Sequence, residues 1–390
     1  MDIHEYQAKA ILGRFGIAQP QGEATDSASA AEAIAARIDA AKFVVKAQVL
    51  AGARGKAGGI RFVDSPEAAG RAAREMIGTT LVTEQTGVRG RMVRRVLVEQ
   101  AVENDRVLYL AILVDRARGR VSLIGARLGG EDIEERAGRD PGLIQRVLAD
   151  PETGFSDADL AKFAKDMALQ GQLASELADL CRKLHKAFIA LDASLIEINP
   201  LAVTSDRKLV ALDVKMSVDD NALFRHPELE ASRDAADSDP AELEAQRYEM
   251  NYVKLDGDIG VVVNGAGLAL GTLDMLKDAG GNPANFMDVR PEATGSQIAT
   301  GFSILLSNPQ VKAVLVNVYG GGLLRCDTVA EGIAMALKRS RRSLPIVFRA
   351  AGTNAELALS RLKNYGIAHT PAANMTDAVS LVIDAARRAR

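Results

Sequence analysis

The sequence predicts an α/β protein built from two successive units, and three observations carry that prediction. Short apolar strands alternate with helices along the whole chain, which argues for mixed layers rather than an all-helical or all-strand fold. From Arg225 to Tyr248 the chain is polar and acidic, nearly free of branched aliphatics, and carries Pro227 and Pro240, as an interdomain connection with a helical part from Pro240 onward. Beyond it, three strands each run into small residues before a helix, the pattern of an open parallel sheet that takes ligands at its carboxyl edge. A chain of 390 residues is long enough for such an arrangement.

Taken in order, Met1 to Tyr6 lacks a signal-peptide pattern and reads as the start of a helix. Residues 29–38 are alanine-rich behind the candidate caps Asp26 and Ser27, which predicts a second helix. Phe43-Val44-Val45-Lys46-Ala47 is a short apolar strand bearing one lysine, and the run Gly52 to Gly59 after it is too glycine-rich to be anything but a loop. Strands are expected at 96–99, 108–114 and 121–124, then one long helix from about Ala158 to Leu191. In the second unit the strands are 259–263, 312–318 and 345–349, ending in Asn264-Gly265-Ala266-Gly267, Gly320-Gly321-Gly322 and Ala351-Gly352-Thr353; the first is followed by a helix from about Leu268.

Composition excludes several classes. With 47% hydrophobic and 25% charged residues and a net charge of −3, nothing favours a nucleic-acid or anionic-membrane surface. No apolar run approaches the ~20 residues that span a bilayer. Cys181 and Cys326 cannot form a disulfide framework, so a reducing cytoplasm is the expected compartment.

The chemistry concentrates at a predicted hairpin. Leu195-Ile196-Glu197-Ile198-Asn199-Pro200 and Leu209 to Lys215 are strands separated by the turn residues Thr204 to Arg207. Side chains alternate along a strand, so Glu197 and Asn199 share one face, and pairing brings Asp213 close. Two carboxylates and an amide oxygen are hard ligands suited to Mg²⁺ and a triphosphate; taken alone, they equally suit a solvated edge hairpin. Lys46 at a strand end, with Arg54 and Lys56 among loop glycines, suits phosphate oxygens, although no GxxxxGK[ST] occurs. Glu99 and the residues after it could offer groups to an adenine edge. Asn264 and the glycines behind it open a helix toward an anion, while the spacing Gly265, Gly267, Gly271 fails the dinucleotide fingerprint and disfavours a nicotinamide oxidoreductase.

These segments, together with Asp2 to Lys9, Asp220 to Arg225, Val263 to Ala269 and Arg325-Cys326-Asp327, closely resemble the β subunit of succinate–CoA ligase, and most are shared with the related malate–CoA ligase β subunit. The resemblance runs through essentially the whole chain. It implies an N-terminal ATP-grasp domain over 1–238, with a mobile subdomain at about 21–96, and a C-terminal flavodoxin-like domain over 239–390. It implies nucleotide contacts from Lys46, Ala53, Arg54, Gly55, Glu99 and Val102, and Mg²⁺ ligands in Asn199 and Asp213. Glu197 becomes the carboxylate that holds a visiting phosphohistidine, and Asn264, Gly321, Gly322 and Leu323 become contacts to a small carboxylic acid. Pro20 matches the ADP-forming branch. None of His4, His185, His226 and His369 lies in a glycine-flanked loop at a strand end. The resemblance implies that the phosphohistidine sits on a partner α subunit that also binds most of CoA, in an αβ or α2β2 assembly.

The chain departs from the family pattern at four places. Val102 and Val107 stand where polar or acidic residues are usual, and Leu50 replaces an expected histidine. Asp288-Val289-Arg290-Pro291-Glu292-Ala293 replaces a triple-glycine run, and the loop before Arg325 carries one extra residue. Glycines permit a close backbone approach that Pro291 denies, so an acid other than succinate, malate among them, or a divergent partner is the corresponding expectation. A catalytically silent nucleotide-binding subunit is the remaining alternative, opposed by the presence of Glu197, Asn199 and Asp213.

Overall fold

The computed structural model of the chain, described at residues 1–88, 90–234, 239–340 and 342–389, forms two units, Met1–Arg233 and Asp234–Arg390, each with its own sheets and core. The expected boundary after residue 238 and part of the expected connection lie outside the described residues.

In the first unit, among the described residues, the larger sheet is antiparallel throughout. Its spatial order is Asp2–Ile3, Val214–Val218, Ala193–Val203, Arg106–Asp115, Arg120–Ala126 and Gln145–Leu148, with Leu209–Ala211 pairing separately along Ala193–Val203. Period-2 burial drives it: Ile196 and Ile198 are fully buried, while Glu197 between them stays half-exposed. Leu160, Phe163, Leu177, Leu184 and Phe188 from two helices cover the buried face, and truncating one such fully buried aromatic to alanine costs about 3–5 kcal/mol. A second sheet, ordered Gly22–Thr25, Val96–Gln100, Phe43–Ala47 and Ile60–Val63, is covered by the helices Ala28–Arg37 and Pro66–Met76. Ser27 caps the first of these and Ser65 the second, as their hydroxyls accept from Ala30 and Ala68.

Three sequence expectations need correction here. The single helix expected from Ala158 to Leu191 is two, Asp157–Asp166 and Gln172–Ala190, because Ala168 and Gly171 adopt positive φ of 54° and 57° between them. The N-terminus does not begin in a helix: Asp2–Ile3 is an edge strand, and the helix Glu5–Arg14 starts after His4. The strand expected from Leu209 to Lys215 is broken at Leu212 and Asp213. The Leu212 N–H donates to the Pro200 carbonyl at 3.1 Å, and Pro200, having no N–H, cannot return the bond to the Leu212 carbonyl.

In the second unit, among the described residues, the sheet order is Asn251–Lys254, Asn285–Asp288, Ile259–Val263, Ala313–Gly320, Ile346–Gly352, Thr370–Pro371, with the first strand antiparallel and the others parallel. Without that edge strand the order is the 2-1-3-4-5 of flavodoxin-like folds. Both faces are buried, as continuous apolar strands require. Val261 and Val263 pack with the helices Ala266–Asp278 and Met375–Arg388, whereas Val262 packs with Gly295–Ser307, Cys326–Arg339 and Ala355–Asn364.

Candidate functional site

The helix Glu5–Arg14 buries Glu5, Ala8, Lys9 and Leu12, so two charges occupy the stripe that normally carries only apolar residues. They meet Lys46, Arg54 and Glu99, all at most 6% exposed. Lys46 donates to Glu5 Oε1 (2.9 Å) and to the Leu212 carbonyl, and its Nζ lies 2.9 Å from Glu99 Oε2. Lys9 donates to Glu99 Oε1 and the same carbonyl, 2.7 Å away. The carbonyl is available to both ammonium groups because Pro200 leaves it out of the ladder.

Arg54 links this cluster to the acidic hairpin. Its Nη1 donates to the Ala47 carbonyl (2.9 Å), while Nη2 donates to Glu5 Oε2 (2.7 Å) and Asp213 Oδ2 (2.6 Å). The loop that carries it turns at Ala53, with φ 55°, and is closed at its base by Gly59 N–H on the Arg54 carbonyl. At the tip, Gly55 N–H donates to Glu131 at 2.8 Å and Lys56 pairs with Asp132.

Burial pushes the Glu5 carboxyl up, but Lys46, Arg54 and Lys9 outweigh it and hold it well below the usual carboxylate range. Burial pulls Lys46 and Arg54 down; the carboxylates of Glu5 and Glu99 on the one, and of Asp213 and Glu5 on the other, override it and raise both. All three groups are thus charged at neutral pH.

Asn199 and Asp213 are adjacent, the Asn199 N–H donating to the Asp213 carbonyl at 3.1 Å. Asn199 Oδ1 accepts from Gly130 N–H at 2.7 Å. Both side chains are half-exposed, which leaves oxygen lone pairs free toward solvent. One carboxylate and one amide oxygen fit a divalent cation whose remaining ligands are phosphate and water, rather than a cation held by an all-protein cage. Glu99 Oε2 is buried and faces the Lys46 ammonium at 2.9 Å, so a ligand would reach this oxygen only where Lys46 moves away from it.

Glu197 lies across the ladder from Lys215 and accepts a hydrogen bond from the Tyr109 hydroxyl at 3.3 Å. Burial lifts its carboxyl above the ordinary range; Lys215 opposes this and Glu134 reinforces it. Val102 lies half-buried in the turn after the Glu99 strand, its carbonyl facing Asn104.

In the second unit, Asn264 ends the first parallel strand, beside the point where strand order reverses. It is pinned there: its Oδ1 accepts from the Tyr319 N–H (2.7 Å) and its Nδ2 donates to the Tyr319 carbonyl (2.8 Å). Gly321, Gly322 and Leu323 form the following turn, closed by Gly321 N–H on the Leu324 carbonyl, with Leu323 76% exposed. Arg290, in the divergent loop, pairs with Glu249 and Glu292.

The expected nucleotide and metal residues Lys46, Arg54, Glu99 and Asp213 therefore fall into one network, with Asn199 next to Asp213 and Gly55 tied to Glu131. Sequence reasoning missed Glu5, Lys9, Leu212, Tyr109 and Glu131. Glu5 and Lys9 had a signal, two charges four apart on a helix stripe with Ala8 and Leu12. The histidines serve packing or surface bonds: His185 edges against Phe155, His226 bonds Asp192, and His369 bonds the Ile367 carbonyl.

Comparison with known proteins gives two family matches, an ATP-grasp domain over residues 2–203 and a CoA-ligase domain over residues 262–383. Relatives named succinate–CoA ligase [ADP-forming] subunit beta include those of Parvibaculum lavamentivorans, 44% identical over 389 residues and all of both chains, and Koribacter versatilis, 44% identical over 99% of each. That of Acidiphilium cryptum is 43% identical over the full length of both. The fold is also that of an ATP citrate lyase from Methanothrix soehngenii, with a TM-score of 0.78 over 98% of this chain and 99% of that one at 19% identity.

Proposed function

Because the chain belongs to the family of succinate–CoA ligase [ADP-forming] β subunits, an acid–thiol ligase whose α subunit is a separate polypeptide, we propose that its own share of the reaction is the nucleotide half. In this reading ATP lies over Lys46 and the Gly52–Gly59 loop, and its γ-phosphoryl passes to a histidine of the α subunit. The phosphohistidine then gives its phosphoryl to the carboxylate of a short dicarboxylic acid, succinate first among them, and the thiol of CoA, which the α subunit mainly holds, displaces phosphate from the acyl phosphate to leave the acyl-CoA.

The observation that carries the proposal is that Arg54 bonds Asp213 at 2.6 Å while Lys46 bonds the neighbouring Leu212 carbonyl. A cationic strand end and a cationic loop thus meet the hairpin oxygens directly. Phosphoryl transfer needs positioning and charge neutralisation more than a nucleophile, and this chain offers that. Lys46 and Arg54 would bind phosphate oxygens, loop N–H groups from Ala53 and Gly55 would cover them, and Glu99 would accept from the nucleoside, with Val102 offering backbone groups. Asn199 and Asp213 would hold Mg²⁺, whose charge neutralises the phosphate oxygens when it is bound. Glu197, anchored by Tyr109, would orient the incoming imidazole by accepting its N–H. In the second unit, Asn264 and the Gly321-Gly322-Leu323 turn would contact the acid.

The test is CoA-dependent ADP release by the chain assembled with its α subunit, across a panel of short dicarboxylates. Turnover with at least one acid supports the reading; ATP binding without turnover on any acid leaves only a nucleotide-binding subunit.

A further inference from the structure

Lys9 and Lys46 share one set of acceptors. Lys9 Nζ donates to Glu99 Oε1 at 2.5 Å and to the Leu212 carbonyl at 2.7 Å, and it lies 3.1 Å from Glu5 Oε1. Lys46 Nζ donates to Glu5 Oε1 at 2.9 Å and to the Leu212 carbonyl, and it lies 2.9 Å from Glu99 Oε2. Each ammonium thus bonds one carboxylate, ion-pairs with the other and shares the carbonyl. The carboxylate side chains of Glu5 and Glu99 are 2% and 1% exposed, and water cannot replace a departing cation there.

The nucleotide reading asks Lys46 and Arg54 to turn toward phosphate. Both are bonded to protein acceptors, so turning would strip Glu5 of two partners and Glu99 of one. An ammonium has three rotatable donors, which match the three acceptors Glu5, Glu99 and Leu212. Lys9 already touches all three, and its side-chain polar contacts among the described residues lie inside this cluster.

We propose that Lys9 is a positioning residue: a resident counter-ion that keeps Glu5, Glu99 and the Leu212 carbonyl neutralised and so releases Lys46 to a nucleotide phosphate. The inference rests on the assignment of Lys46 as a phosphate contact. Without Lys9, Lys46 is the only ammonium left on two buried carboxylates and is held in place by them.

The experiment measures binding of MgATP, MgADP and adenosine to the full chain, wild type against Lys9→Met and Lys9→Met/Glu5→Gln, with folding checked by circular dichroism. Lys9→Met is expected to weaken ATP and ADP roughly 30-fold while leaving adenosine, which carries no phosphate, within about threefold. The double variant, with one buried carboxylate charge fewer, is expected to recover ATP binding to within about threefold of wild type. Unchanged ATP affinity in Lys9→Met overturns the proposal. So does an equal loss for adenosine, which marks a structural role alone. Should Lys9→Met not fold, the double variant decides by the same ATP criterion, and failure of both to fold assigns Lys9 to stability and overturns the proposal. A wild type that binds no nucleotide overturns the nucleotide reading itself, and this inference with it, a result separate from any behaviour of the variants.

Discussion

Arg54 and Asp213 form a 2.6 Å ion pair between a glycine-rich loop and the break in the acidic hairpin. Arg54 also holds Glu5 and the Ala47 carbonyl, so its place does not depend on Asp213 alone. Asp213, whose side chain is 26% exposed, contributes little to the core.

Asp213→Asn should therefore fold and melt within a few degrees of wild type, yet lower ADP formation about 100-fold or more, since it removes the negative charge from the two proposed cation ligands and leaves two neutral amide oxygens. Thermal melting and turnover with the α subunit, measured across Mg²⁺ concentrations, check this. Retained turnover at every concentration would remove Asp213 from the metal site.

Glu131 restrains the loop tip by accepting from Gly55 and Lys56 N–H groups in an exposed setting. Glu131→Ala should speed amide exchange in residues 53–58 while leaving the sheets protected, because the loop loses its tether and no buried contact. Hydrogen exchange read by mass spectrometry distinguishes this from exchange unchanged in the loop.

The pH dependence of stability follows from Glu5. Its folded carboxyl lies well below the unfolded one, near 4.3, so folding favours the ionised form. The stabilisation is present above about pH 4.3 and is lost as pH falls below it toward the folded value. Glu5→Gln should cost about 3–5 kcal/mol at pH 7, by leaving buried cations short of a partner, and should flatten the acid limb. Denaturant unfolding from pH 7 to pH 3 measures both; a variant as acid-sensitive as wild type would contradict the assignment.

Asn264 is pinned by the Tyr319 backbone at the strand-order reversal. Asn264→Ala should slow acyl-CoA formation at least about tenfold while leaving phosphorylation of the α subunit unchanged, since truncation removes a polar contact in the second unit only. Partial-reaction assays separate the two steps, and equal losses in both would reject the substrate assignment.

How much of this was legible follows from the kind of residue. The apolar strands around Lys46, Glu197 and Val262 could be read because burial imposes a period of 2 or a continuous apolar run. The 167–171 break was half marked, since Gly171 is a glycine in the sequence while Ala168 carries its positive φ without any mark. Asn264 and Gly321 could be placed at strand ends from their small-residue loops. The pairing of Lys9 with Glu99 could not, because it depends on how a helix seats between two sheets, and the Leu212 carbonyl is a backbone atom freed by Pro200 across the ladder.

The central claim is that this chain supplies the phosphoryl group to a histidine on another polypeptide. Incubating the assembled subunits with γ-labelled ATP and Mg²⁺, without CoA or acid, and separating the chains tests it directly. The account predicts acid-labile label on the α subunit, absent when Asp213 is replaced by Asn. Label retained on this chain, or none on either, would contradict it.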